Sequence, residues 1–356
     1  MPAVNAARRV VAAANPLFRV FLASPATRRN GPRSRFVILH VLFADAQPAS
    51  AWQSLVQYLI TGLANGSLFA LIALGYTMVY GIVELINFAH GDVFMLGAFL
   101  ALTIIEQTGL AQAESGAIIA LGLLGIFAVV PCFCAGINLA IDRIVYRPLR
   151  NAPKLAPLVS AIGVSFILMN VGLLWGGAAD RNFPNLVPSD NLLGEGAAIH
   201  VSWKDVLVIG LTVPIMLALT VFVKGTRLGK AMRATAQNPT AARLMGIDVD
   251  RVIGATFLIG GALGGAASVI YALYINTVSY QMGFQNGLYA FTAAVLGGIG
   301  NIPGAVAGGL VIGLVRSLGS GYVGERWTSA LVFAILILIL IFRPQGLLGA
   351  RTREKV

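Results

Sequence analysis

The sequence predicts an all-α, polytopic membrane protein with about 8–9 transmembrane segments, one pair of them broken or re-entrant. Three observations carry that prediction. The chain is 57% hydrophobic and only 11% charged, with a mean hydropathy of +0.82, whereas soluble domains carry about 25% charged residues. Long apolar runs recur along nearly its whole length, and LVFAILILILIF near the C-terminus is continuous rather than alternating, which excludes a β-barrel pattern. Its Lys and Arg gather in loops and tails, as membrane topology requires. That placement also accounts for the net charge of +11. With no basic patch interleaved with aromatics, no nucleic-acid partner is expected.

The elements follow in chain order. Residues 1–53 form an N-terminal extension, disordered or signal-like. Residues 1–30 are Ala- and Arg-rich without apolar periodicity, and fit the product of an upstream start codon. SRFVILHVLFADAQPASAW has a basic flank, a short apolar core interrupted by His40, and small residues at Ala44 and Ala46. It fits a secretory signal with an A-x-A site, or an extra partial span near 36–52. A transmembrane domain is expected over 54–350, with apolar segments at 54–75, 91–108, 116–140, 155–176, 206–223, 252–275, 288–299, 303–320 and 327–342. The segment 288–299 is too short for a hydrocarbon core of about 30 Å. Gly300, Asn301 and Pro303 separate it from 303–320, so 288–320 reads as a hairpin whose break lies inside protein or beside water. A tail, 351–356, closes the chain.

Basic residues orient these segments. Arg143, Arg147, Arg150 and Lys154 lie in one loop. Lys224, Arg227, Lys230, Arg233, Arg243 and Arg251 lie in another, and Arg343, Arg351, Arg353 and Lys355 in the tail. The intervening loops, 177–205 and 276–287, hold only Arg181 and Lys204. The positive-inside rule places the three basic regions and the C-terminus in the cytoplasm. Parity agrees if 288–320 returns to the side from which it entered.

The loop 224–251 carries a helix signature in a place where a plain connector needs none. Asn238 stands as N-cap, Pro239 at the first helical position, TAARLM follows, and Gly246 stops the helix. Such a helix reads as a handle that another protein grips. A second unusual stretch is 64–99, where Glu84, Asn87, His90 and Asp92 fall between two apolar runs. Two readings fit: ionisable groups at membrane depth on a pathway or partner contact, or a cytoplasmic turn in water. Asn87 and Asp92 also suit helix caps. Glycine pairs four apart (Gly260 with Gly264, Gly261 with Gly265, Gly304 with Gly308, Gly309 with Gly313) let helices cross closely in lipid.

Several chemistries are excluded. Gly225 to Ala231 reads G-T-R-L-G-K-A, which lacks the spacing and the hydroxyl of a phosphate-binding loop. No HExxH occurs, and His40, His90 and His200 are far apart in sequence. Cys132 and Cys134 without nearby His form no metal site and read as thiols in a helix. No catalytic residue, metal or cofactor is expected, and the chain reads as a non-enzyme. An autonomous transporter would show ionisable residues deep in several spans. A scaffold or receptor subunit would need an extramembrane domain.

INFAHGDVFMLGA, preceded by ALIALGYTMVYG, resembles the signature of the inner-membrane permeases for branched-chain amino acids in bacterial ATP-binding-cassette importers. RATAQNPTAARLMGIDVDRV, GGIGNIPGAVAGGLVIG and the terminal FRPQGLLG resemble the same family, so the likeness covers about residues 54–350. The chain is similar to the shorter, H-type of the two permeases that pair in such importers. The resemblance implies a multi-pass protein of the bacterial inner membrane. It implies ATPase subunits, a second permease and a periplasmic substrate-binding protein as partners, the lipid bilayer as solvent, and a branched-chain amino acid as substrate. Urea and short amides are the alternative substrates, because related permeases carry them. Thr240, Ala241, Ala242 and Gly246 resemble the E-A-A-x-x-x-G coupling loop, with Thr240 in place of Glu. Asn238, Pro239 and Arg243 complete the expected coupling site, and Arg233 joins Arg243 as an expected partner of acidic ATPase residues. Polar path residues are expected among Asn87, Phe88, His90 and Asn301.

Overall fold

The computed structural model describes residues 51–349 apart from 84–86, 114, 151, 154, 195, 196 and 344. The N-terminal extension up to residue 50, Glu84, Lys154 and the tail 351–356 therefore lie outside the described residues. Among the described residues, eight helices are long and apolar enough to cross a membrane. They are α1 (Ala51–Val83), α2 (Ala89–Thr108), α3 (Gly116–Ile141, continued by a π turn, Asp142–Tyr146), α4 (Leu155–Gly176), α5 (Trp203–Gly225), α8 (Val249–Ile275), α10 (Ile302–Tyr322) and α11 (Glu325–Phe342). Between α5 and α8 lie α6 (Arg227–Gln237) and α7 (Pro239–Leu244), and α9 (Met282–Gly297) precedes α10. The all-α, multi-pass reading holds. One two-residue antiparallel ladder, β1 (Arg181–Asn182) on β2 (Thr277–Val278), joins the two loops at one end of the bundle.

Two element boundaries differ from the sequence reading by more than three residues. Helix α1 runs to Val83, because YTMVYGIV remains apolar and helical beyond residue 75. Helix α9 begins at Met282 rather than 288. Its polar Asn286 bonds its own helix, donating to the Met282 carbonyl at 2.9 Å. Gly283 and Gly287 meanwhile let α9 lie directly on α2, where a Cβ at Gly283 would stand 2.7 Å from the Gly91 carbonyl oxygen. With 16 residues α9 is about 24 Å long. It forms a tight hairpin with α10 across Gly298 and Gly300, both at positive φ.

The glycine pairs sit where helices cross. Gly261 and Gly265 face Val130–Ala135 of α3, and a Cβ at Gly265 would lie 2.7 Å from the Pro131 Cα. Gly304 and Gly308 take the backbone of α9, and Gly309 and Gly313 that of α1. Gly260 and Gly264 face α1 and His90. Backbone-to-backbone packing replaces side-chain interdigitation at these crossings. As a result α1, α2, α8 and α9 are largely buried, while α3, α4, α5 and α11 present apolar faces outward.

The loops sort to two ends. At one end, Gln57 and the His200 backbone exchange hydrogen bonds (3.0 and 2.7 Å), and Phe183 N–H donates to Asn276 O at 2.9 Å. At the other, Arg150 bridges Asp142 (2.7 Å) and Asp250, and Asn301 donates to Leu348 O at 2.6 Å. Arg143, Arg147, Arg227, Lys230, Arg243 and Arg251 lie at this second, basic end. The chain leaves the opposite end at α9 and returns there at the close of α10, which satisfies the parity of the sequence reading.

Candidate functional site

At the basic end, α6 and α7 form an arm whose stiffness comes from caps. An isolated six-residue helix is unstable in water. Asn238 accepts from the Ala241 N–H at 3.0 Å, and Pro239 occupies the first turn. Such a cap contributes about 1 kcal/mol. The exit is a Schellman turn: Gly246 N–H donates to Arg243 O and Ile247 N–H to Ala242 O, both at 3.0 Å, with Gly246 at φ +81°. Asp248 then caps α8, accepting from Arg251 N–H at 3.1 Å. The helix expected from sequence is present with its cap and stop. Thr240, Ala241, Arg243 and Gly246 are exposed, while Ala242 is buried.

Sequence reasoning missed three features of this arm. Helix α6 stands where the sequence reads as loop. It is capped by Thr226, which accepts from Gly229 N–H at 3.0 Å, and it buries Met232 and Thr235. Arg233, expected to face a partner, instead donates to the carbonyls of Val223 and Lys224 at the end of α5, where a helix C-terminus favours a cation. Leu244 and Met245 are 83% and 82% exposed. Two large apolar side chains on the polar side of a bundle form a surface suited to a partner, and LM before Gly246 was their signal.

Inside the bundle, Asn87 just before α2 is buried, as is the first turn of α2. Asn87, His90 and Asp92 are all withdrawn from solvent, so the aqueous-turn reading fails for them. Neither Asn87 nor Asp92 caps α2, which starts after Phe88 without a side-chain cap bond. Burial instead commits them to interior partners. Asn87 donates to Asn138 Oδ1 at 3.0 Å, Asn138 donates to Phe257 O at 2.6 Å, and Tyr146 OH reaches Asn87 Oδ1 at 3.4 Å. Asp92 accepts from the Ser165 hydroxyl of α4. His90 fills a notch left by Gly75 and Gly264 and lies edge-on to Tyr76, with ring centroids 4.8 Å apart. Neither of its ring nitrogens makes a well-formed hydrogen bond.

Phe88 and His90 belong to one aromatic group. Tyr76 touches both His90 and Phe291, and Phe88 lies 5.9 Å from Phe291. The cleft among Tyr76, Tyr80, Phe291, Ala294 and Ile299 has a volume of about 10 Å³. That is room for a single water-sized sphere, so this conformation is shut there. Asn301 stands apart as the N-cap of α10, accepting from Gly304 N–H at 3.2 Å and clasping Leu348. Leu347 and Leu348 N–H groups donate to the last carbonyls of α9, at 2.7 and 3.1 Å. The terminal segment therefore straps the α9–α10 turn.

A further interior residue went unread. Arg316 is a lone cation inside the apolar run of α10. Its guanidinium lies over the rings of Tyr289 (4.9 Å) and Phe69 (5.6 Å), with Glu325 at 3.7 Å. It ties α1, α9 and α11 to α10. Among the described residues no group of His, Cys, Asp and Glu is arranged to hold a metal.

The family described as "Branched-chain amino acid transport system / permease component" matches residues 58–340. The high-affinity branched-chain amino acid transport system permease protein BraD of Pseudomonas aeruginosa is 40% identical over 85% of this chain and 98% of its own length. The permease protein LivH of the corresponding system in Escherichia coli is 40% identical over 85% and 97%. A probable LivH of Methanocaldococcus jannaschii is 28% identical over 80% and 89%. No solved structure matches the chain.

Proposed function

The chain belongs to the branched-chain amino acid transport permease family, and from that premise we propose that it is the membrane subunit of an ATP-driven importer for branched-chain amino acids. The observation that carries the coupling role is α7: a helix capped at both ends and seated on the bundle only through Ala242, with Leu244 and Met245 exposed. In this reading, separate ATPase subunits receive Leu244 and Met245 in an apolar groove, against the small face of Thr240 and Ala241. Arg243, with no ion pair among the described residues, meets an acidic side chain there. Asn238, Pro239 and Gly246 keep the lever stiff, so a displacement of α7 reaches α5 and α8 without being absorbed by the loop. ATP is hydrolysed on the partner subunits, and no bond chemistry falls to this chain.

The transmembrane domain is residues 54–350, with the basic end and C-terminus cytoplasmic in a bacterial inner membrane. A periplasmic binding protein delivers substrate at the opposite end, and a second permease completes the path. Phe88 and His90, with Tyr76 and Phe291, form the apolar inner constriction. Asn87 and Asn301 set its backbone through the bonds described above. Opening requires the end of α1 and the α9–α10 turn to part. These approach each other closely: a Cβ at Gly81 would lie 3.0 Å from the Gly300 Cα.

The test is affinity purification of the full chain from its native membrane in mild detergent, with mass spectrometry of what accompanies it. Two ATPase subunits and a second permease are expected. With Leu244→Asp and Met245→Asp together, the ATPases should be lost and the permease retained. A chain recovered alone would defeat the importer reading. Undiminished ATPase recovery with the double variant would defeat the role given to α7.

A further inference from the structure

At the basic end, between α3 with its π turn and the start of α8, lies a cavity of about 570 Å³. It is separate from the aromatic constriction and from α7. Its rim carries Arg143, Arg147 and Arg251, and its inner wall is Leu139, Ala255 and Leu258. From Arg251 to Leu258 is about 10 Å along α8, and from Arg147 to Leu139 about 12 Å along α3. The cavity therefore runs from a charged mouth to an apolar floor along the membrane normal. Leu258, on that wall, is exposed on the outward face of the bundle.

Acidic side chains also line the mouth, and their bonding decides its net character. Asp142 and Asp250 share Arg150, and Asp248 is held by Arg251 Nε at 2.9 Å and by the Arg251 backbone. Arg147 reaches Asp250 only at 3.7 Å with both groups well exposed, a weak pair that a stronger acceptor displaces. Arg143 has no ion pair among the described residues. Four guanidinium groups against three carboxylates leave one cation over, centred on Arg143. Guanidinium forks match the oxygens of a phosphodiester, and basic pockets between helices at a cytoplasmic surface suit anionic headgroups.

We propose that this cavity is a binding site for one anionic phospholipid, its phosphodiester on Arg143 and Arg147 and an acyl chain along Leu139, Ala255 and Leu258. The apolar floor favours a lipid over a free phosphate, since a soluble anion gains nothing from that wall. Occupancy pins α3 to the foot of α8, the helix that α7 adjoins in the chain.

The test is native mass spectrometry of the full chain, purified with whatever subunits accompany it and offered phosphatidylglycerol and phosphatidylcholine in equal amounts. One phosphatidylglycerol is expected to be retained several-fold over phosphatidylcholine. Arg143→Gln removes an exposed, unpaired side chain and leaves packing intact, so it should cut that retention several-fold. Ala255→Leu, which fills the floor, should do the same. Lys230→Gln removes an equal charge outside the cavity and should change nothing. Equal retention of the two lipids overturns the proposal, as does an equal loss in Lys230→Gln, which would mean diffuse surface attraction. A thermal shift with glycerol 3-phosphate as large as that with phosphatidylglycerol overturns the lipid assignment in favour of a free anion.

Discussion

Asn138 makes two buried bonds near the basic end of the bundle, one with the Asn87 side chain and one with the Phe257 carbonyl. Asn138→Ala leaves both of those buried groups short of a partner, at about 1–3 kcal/mol each. The expected outcome is a melting temperature several degrees lower in detergent; an unchanged transition would mean that water or a rearranged Asn87 takes over. Gly246 is a different case, because its φ of +81° is strained for any side chain. Gly246→Val costs about 1–3 kcal/mol locally and acts on the stop of α7 rather than on the bundle. Expression and subunit recovery should be normal, with ATP-driven uptake into proteoliposomes reduced at least several-fold; full uptake would show that α7 need not be rigid. The Asn238–Gly246 device was legible in sequence because caps act across three or four residues. Asn138, the stacking of Arg316 on Phe69 and Tyr289, and the Asp92–Ser165 bond were not, because those partners are tens to more than a hundred residues away and chain order carries no sign of the pairing.

Among the elements, the α9–α10 hairpin is the most constrained. Gly309 faces α1 so closely that a Cβ would stand 2.5 Å from the Ala70 Cα, with backbone as the obstruction. Gly309→Ala therefore forces two helices apart, and overpacking of this kind costs about 1–3 kcal/mol. Gly210 in α5 has nothing within 4 Å of such a Cβ, so Gly210→Ala should be neutral or stabilising by up to about 1 kcal/mol through helix propensity. Thermal unfolding of the two variants in the same detergent checks the contrast; equal behaviour would show that the close crossing yields freely. Sequence spacing identified these glycines as crossing points but not which helix each would meet. Helix α6 escaped notice because its buried side, Met232 and Thr235, is short and lies in a strongly basic stretch.

For the whole molecule, the sorting of charge between the two ends predicts orientation. In a Cys132→Ser background, Asp190→Cys should react with an impermeant maleimide in intact cells. Lys230→Cys should react only after permeabilisation. The reverse pattern would invert the proposed topology. Sequence by itself determined the membrane class, the count of apolar segments, the two-ended charge distribution and the capped helix. Each of these is local in chain or follows from bulk hydropathy, which the bilayer imposes on every span independently. Tertiary structure alone decided which spans are central and which present apolar faces outward. It decided that Asn87, His90 and Asp92 are buried, that Leu347 and Leu348 strap the α9–α10 turn, and that three arginines surround a cavity. Those outcomes depend on which backbones approach closely, and glycine permits such approach without naming its partner.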